Sequence, residues 1–95
     1  MTWRLVITPP VQAALRSCPP QTKRYVRQAL LEICRDPRQG KLLRDELTGL
    51  YSFRVKRFRI VYQIHQHIVT VMVIAIGPRR TIYEELTAEL RIRHS

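Results

Sequence analysis

Apolar residues along this chain switch between a period of two and a period near 3.6. Each switch marks a new element. Trp3, Leu5 and Ile7 alternate with Arg4 and Val6, which predicts a strand over Trp3–Ile7. Thr8 followed by Pro9-Pro10 predicts a helix start, with a hydroxyl to cap and proline where a missing N–H costs nothing. Val11, Ala14, Leu15 and Cys18 then recur on one helical face until Pro19-Pro20 breaks the pattern. A second helix is predicted over Gln21–Arg35. Its core face carries Val26, Ala29, Leu30 and Ile33, and its wet face carries Lys23, Arg24, Arg27, Gln28 and Glu32. Asp36-Pro37 stops it, because the residue before proline avoids helical angles.

Arg38–Gly49 lacks a clear period and reads as a loop with one helical turn, in which Leu42, Leu43 and Leu47 seek cover. Period two returns in Leu50–Val55, Phe58–His65 and Ile68–Gly77, with turns expected at Lys56-Arg57 and Gln66-His67. Turns this short make neighbouring strands antiparallel. The third of these runs, IVTVMVIAIG, is apolar on both faces and predicts an interior strand. A final helix over Tyr83–Arg93 has Glu84 and Glu85 in its first turn and Arg91 and Arg93 in its last, the order a helix dipole favours. His94 falls in the tail beyond it. The expected fold is α+β, one domain over residues 1–95. It has an N-terminal strand, a helical hairpin, a three-stranded antiparallel meander completing a four-stranded sheet, and a C-terminal helix.

Composition narrows the function. The chain has 95 residues, 45% of them apolar and 25% charged, as in globular domains. Met1–Pro10 lacks the apolar core of a signal peptide. The longest apolar run, Ile68–Ile76, falls well short of the roughly 20 residues a bilayer span needs. A soluble cytoplasmic protein is expected. Cys18 and Cys34 sit on either side of about 14 helical residues, roughly 21 Å at the helical rise, and are predicted not to pair. No metal site is expected, since His65 and His67 belong to another element.

Charge changes the picture most. The 17 cations against 7 anions leave a net +10. A charge this large resists compaction and suits an anionic partner. It is also unevenly spread. Between Leu47 and Tyr83 there is no anion, while Arg54, Lys56, Arg57, Arg59, Arg79 and Arg80 all lie there. Strand alternation places Ser52, Arg54 and Lys56 on one face, and a turn at Lys56-Arg57 brings Arg59 to the same side. Arg79 and Arg80, just past the last strand, are within reach. Guanidinium forks match phosphate oxygens, so the six residues form a candidate nucleic-acid surface. The plainer alternative is a solvated sheet face, which commonly carries Lys and Arg. Charge alone does not choose between RNA, DNA and an acidic protein.

Two stretches go further. LTGLYSFRVKRFRIVYQI (Leu47–Ile64) supplies Gly49, Tyr51, Arg54, Arg59 and Tyr62, and IAIGPRRTIYEEL (Ile74–Leu86) supplies Gly77, Arg79, Ile82 and Tyr83. In this order and at this length the chain resembles the RelE/ParE superfamily of bacterial type II toxins, the RelE-like branch more than the ParE-like one. The resemblance implies a toxin held by a cognate antitoxin. It also implies a metal-independent, cofactor-free endoribonuclease acting on mRNA at the ribosome. By the same resemblance Arg59 and Arg79 would clamp the phosphate, and Tyr83 would stack on a base or donate a proton. Lys56 or Arg54 would bind phosphate or act as base. Two positions depart from the pattern. Pro78 stands where many members have histidine, and Ser52 where RelE-like enzymes often have lysine. These departures keep two alternatives in view: a ParE-like inhibitor of DNA gyrase, and a non-toxic nucleic-acid-binding relative. Tyr62 is expected in the core, and His65 and His67 at a turn remote from Arg54.

Overall fold

The computed structural model describes residues 3–94, with side chains as far as Ile92. The chain runs β1 (Arg4–Ile7), α1 (Pro9–Arg16), α2 (Pro20–Arg35), β2 (Lys41–Leu42), β3 (Tyr51–Val55), β4 (Phe58–His65), β5 (Thr70–Pro78) and α3 (Ile82–His94). The strands form one sheet in the order β1-β5-β4-β3-β2. β1 lies parallel to β5, with Arg4 opposite Thr70 and Ile7 opposite Val73. The other pairs are antiparallel. β5, the run that is apolar on both faces, lies inside the sheet as its pattern predicts.

The α+β architecture follows the hydrophobic periods, with element ends displaced by a residue or two. Three local readings are corrected. The sheet has five strands, because the loop after α2 adds the short edge strand β2 opposite Ser52 and Tyr51. Tyr62 explains why: its buried hydroxyl donates to the Pro37 carbonyl and accepts from the Gly40 backbone, drawing the loop onto the sheet. A Cβ at Gly40 would collide with that hydroxyl, so only glycine lets the loop lie so close. Instead of one helical turn, the rest of this segment forms two 3₁₀ turns, Pro37–Gln39 and Asp45–Leu47.

Second, Thr8 does precede α1, but its hydroxyl bonds the Val73 carbonyl at 3.0 Å and does not cap the helix. Prolines occupy the first two helical positions and leave few amides to cap. Third, the turn at residues 66–67 is a 3₁₀ turn over Gln66–Ile68, and Val69 follows with a left-handed φ of 47°. The last strand therefore starts at Thr70 and not at Ile68. The last helix extends to His94, and the side chains of Arg93 and His94 lie outside the described residues.

Two cores form on the two faces of the sheet. Val11 of α1 and Val26, Ala29, Leu30 and Ile33 of α2 pack on Val55, Ile60, Tyr62, Val71 and Val73. Of the residues assigned to the α1 face only Val11 is fully buried; Ala14 is exposed and Cys18 half-exposed. Both cysteines are free. On the other face, Ile82 and Leu86 of α3 pack with Leu43, Leu47, Leu50 and Val61. An exposed Arg91–Glu46 ion pair ties α3 to the loop beside it.

A β-bulge reverses the alternation of β5. Val61 pairs with Ala75 but Tyr62 pairs with Val73, so Ile74 is the extra residue. Val71 and Val73 pack in the core under α1 and α2, whereas Ile74 and Ala75 both pack with α3. Beyond the bulge Ile76 returns to the α1–α2 core, and Gly77 lies opposite Arg59.

A cationic groove at the uncovered corner of the sheet

The charged corner is built from three neighbouring strand ends. In the β3–β4 hairpin Arg54 lies directly opposite Arg59, and Arg59 in turn lies opposite Gly77. Gly77 leaves its place in this row empty, and Ile82 fills it: a Cβ on residue 77 would sit 2.8 Å from Ile82 Cδ1. The start of α3 thus settles onto the sheet, and the next residue, Tyr83, reaches across to Ser52. Ser52 is 2% exposed and joins two side chains. Its Oγ shares a 2.8 Å hydrogen bond with the Tyr83 hydroxyl and accepts one of 3.2 Å from an Arg59 guanidinium nitrogen. The Arg59 guanidinium also lies 5.9 Å from the centre of the Tyr83 ring.

Above this cluster opens a groove of about 940 Å³ lined by Arg54, Lys56, Arg57, Arg79 and Arg80, with Pro78 and Thr81 between them. The Arg79 amide donates to the Arg57 carbonyl at 2.9 Å, holding the exit of β5 against the hairpin tip. Among the described residues, none of these five cations forms an ion pair. Exposed guanidinium groups gathered this way create a local positive potential that attracts polyanions. No group of three or more His, Cys, Asp or Glu side chains is gathered to hold a metal among the described residues.

The predicted set therefore divides. Arg54, Lys56, Arg57, Arg79 and Arg80 share the groove. Arg59 and Tyr83 do not line it; they lie next to it, joined through Ser52. Lys56 corrects a further expectation. It occupies the hairpin turn at φ 55°, outside the strand alternation that would place it beside Arg54. Its ammonium lies over the ring of Tyr25 on α2, 4.8 Å from the centre. Such a backbone costs a non-glycine residue about 1–2 kcal/mol. The sequence places Ser52 on the face of Arg54 and marks it as a departure from the RelE-like pattern, and the register makes it the residue that links Arg59 to Tyr83. The signal was present: a small polar residue two positions before Arg54, on the same strand face.

Two other readings hold. Tyr62 is fully buried, stacked on Tyr51 at 5.7 Å between centres, and burial pushes its phenol up to about 12. His65 sits at the far end of β4, where it bonds Gln63, and His67 lies in the 3₁₀ turn that follows.

Known proteins place the chain. The family described as "ParE toxin of type II toxin-antitoxin system, parDE" matches residues 5–83. The chain belongs to the RelE/ParE family of type II toxins. It is 32% identical over 85 residues to Toxin RelG of Mycobacterium tuberculosis (strain ATCC 25618 / H37Rv), covering 87% of this chain and 98% of that protein. The toxin–antitoxin complex RelBE2 of M. tuberculosis matches with a TM-score of 0.74 and 30% identity, over 83% of this chain and all of that one (100%). An arginine double mutant of E. coli toxin RelE in the free state gives a TM-score of 0.77 at 24% identity, over 97% and 99% of the two chains, and speaks to the fold alone. In this RelE/ParE toxin no helix among the described residues is long and apolar enough to cross a membrane.

Proposed function

We propose that this toxin is a metal-independent endoribonuclease that cuts mRNA on the ribosome in the cytoplasm. One observation carries the reading: five cations, none in an ion pair among the described residues, line one groove beside the Arg59–Ser52–Tyr83 cluster. A scissile phosphate bound there meets the positive charge of Arg54, Arg79 and Lys56. Attack of the ribose 2′-oxygen forms the O2′–P bond and breaks the P–O5′ bond. The guanidinium groups stabilise the extra charge on the crowded phosphorus. The Tyr83 phenol, oriented through Ser52, protonates the departing oxygen, and the 2′-hydroxyl proton passes to solvent. A cyclic phosphate and a free 5′-hydroxyl result. Arg57 and Arg80 grip flanking phosphates. A cognate antitoxin with an acidic segment silences the toxin by occupying the same charge.

A second reading has its own support, because the matched family is described by ParE and Pro78 removes the histidine expected beside Arg79. In that reading the groove binds DNA gyrase and breaks no bond. Expression of Arg79→Ala and Arg59→Ala variants, with primer-extension mapping of cellular mRNA, separates the two. The nuclease predicts cuts within codons for the wild type, lost together with growth arrest in both variants while the fold persists. Each lost contact removes roughly 10²–10³ in rate. Intact messages with broken chromosomes would transfer the function to gyrase, and undiminished arrest by both variants would remove the site.

A further inference from the structure

The groove does not end at the hairpin tip. Lys56 and Arg57 also line a second hollow of about 290 Å³ on the opposite side of the turn, shared with Gln21, Thr22 and Tyr25 of α2 and with Phe58. It adds two rings, Tyr25 and Phe58, to the two cations it shares with the first, which has no ring in its lining. Tyr25, a large ring on α2, is 37% exposed. Its hydroxyl is held by Gln21, whose side-chain amide donates at 2.9 Å. That leaves the Gln21 carbonyl oxygen and second amide hydrogen for another partner. The Lys56 ammonium lies over the ring, carried there from a hairpin-turn position with φ 55°. A two-residue hairpin turn needs positive φ at its first residue, and here lysine stands where glycine or asparagine is usual.

We propose that this hollow is a nucleobase subsite, taking the base next to the phosphate held in the cationic groove. The inference rests on the nuclease reading above. In the free protein Lys56 covers the Tyr25 ring; when RNA binds, Lys56 turns to the phosphate and the base stacks in its place. Ring faces accept any base, and the Gln21 amide together with the Thr22 hydroxyl offers donors and acceptors to its edge. The two hollows share Lys56 and Arg57, so a strand crossing the tip engages both. In RNA every phosphate comes with a flat base to match the ring, whereas acidic side chains bring no ring of their own, so RNA is the better fit.

The test measures binding of short single-stranded RNA to the full-length chain, with pentamers of adenosine compared against the same pentamers carrying one abasic nucleotide. Tyr25→Ala is expected to weaken binding of the intact pentamer roughly tenfold and to leave the abasic one unchanged, because the base loses its stacking partner while the cations of the groove are kept. Tyr25→Phe keeps the ring and is expected to bind within about twofold of wild type. Thermal melts establish that both variants are folded. Equal weakening of intact and abasic RNA, or none at all, overturns the subsite and leaves the nuclease reading standing. Loss of affinity for an acidic antitoxin peptide with RNA binding unchanged would make the hollow a protein contact, and also overturns it. A wild-type chain that binds RNA no better than polyphosphate of equal charge defeats both proposals.

Discussion

The two faces of this sheet are covered to different extents, and the difference makes the site. One face lies under α1 and α2, whose apolar stripes meet five buried sheet residues in a continuous core. The other is covered by α3 and the loop before β3, with Ile82 at the start of α3 resting over Gly77 in the Arg54–Arg59 row. The cations of the groove gather at the hairpin tip and the exit of β5, where this cover ends. A helix that stops short leaves an edge where polar side chains are half-buried and held in place, yet still open to a ligand. Arg59 and Tyr83, both half-buried and joined through Ser52, occupy that edge.

Substitutions on the two faces should therefore behave differently. Ile33→Ala, on the closed face at 0% exposure, should cost about 2–5 kcal/mol in a denaturant titration. Tyr62→Phe comes next. It strands the buried Pro37 carbonyl and frees the loop carrying β2, at about 1–3 kcal/mol. The same phenol gives a pH signature. Burial raises its pKa in the fold to about 12, against about 10 when unfolded, so the folded chain keeps the proton longer. Its contribution is full below about pH 10 and is lost as pH climbs toward 12; in Tyr62→Phe that decline should flatten.

At the open edge, Ser52→Ala should cost about 1 kcal/mol or less, because water can reach the groups it releases. Activity should fall roughly 10–100-fold through misplaced Arg59 and Tyr83, with Ser52→Thr recovering part of it. Unchanged cleavage by Ser52→Ala would mean that the three-residue link has no role in the chemistry. The smallest change is expected for Lys56→Gly. Relief of the left-handed backbone should raise stability by up to about 1 kcal/mol while activity falls. A loss of both would remove the trade-off from the hairpin tip.

Much of this was legible in the sequence because periodicity reports burial directly. The two-period and 3.6-period runs gave every helix and the four longer strands. Charge segregation gave the groove, since the absence of anions between Leu47 and Tyr83 survives any error in element ends. The edge strand β2 was hidden because it follows from one phenol, Tyr62, meeting a distant glycine, and no local pattern encodes that. Lys56 was misassigned because alternation holds only within a strand, and this residue is the turn. The phase change in β5 came from a bulge in a run so uniformly apolar that neither register leaves a polar residue misplaced. Ser52 escaped for a different reason: its importance lies in what it joins across strands, which becomes visible only once the register is known.

The parallel pairing of β1 with β5 has a consequence for synthesis. The first strand made has no neighbour until residues 70–73 exist, so the sheet cannot close while most of the chain is still being translated. Arg54 and Arg79 likewise meet only after the last strand is in place. A nascent chain therefore lacks the assembled groove, and assembly waits on the slow search that distant contacts impose. That delay gives a partner translated at the same time an interval in which to bind before the groove is complete.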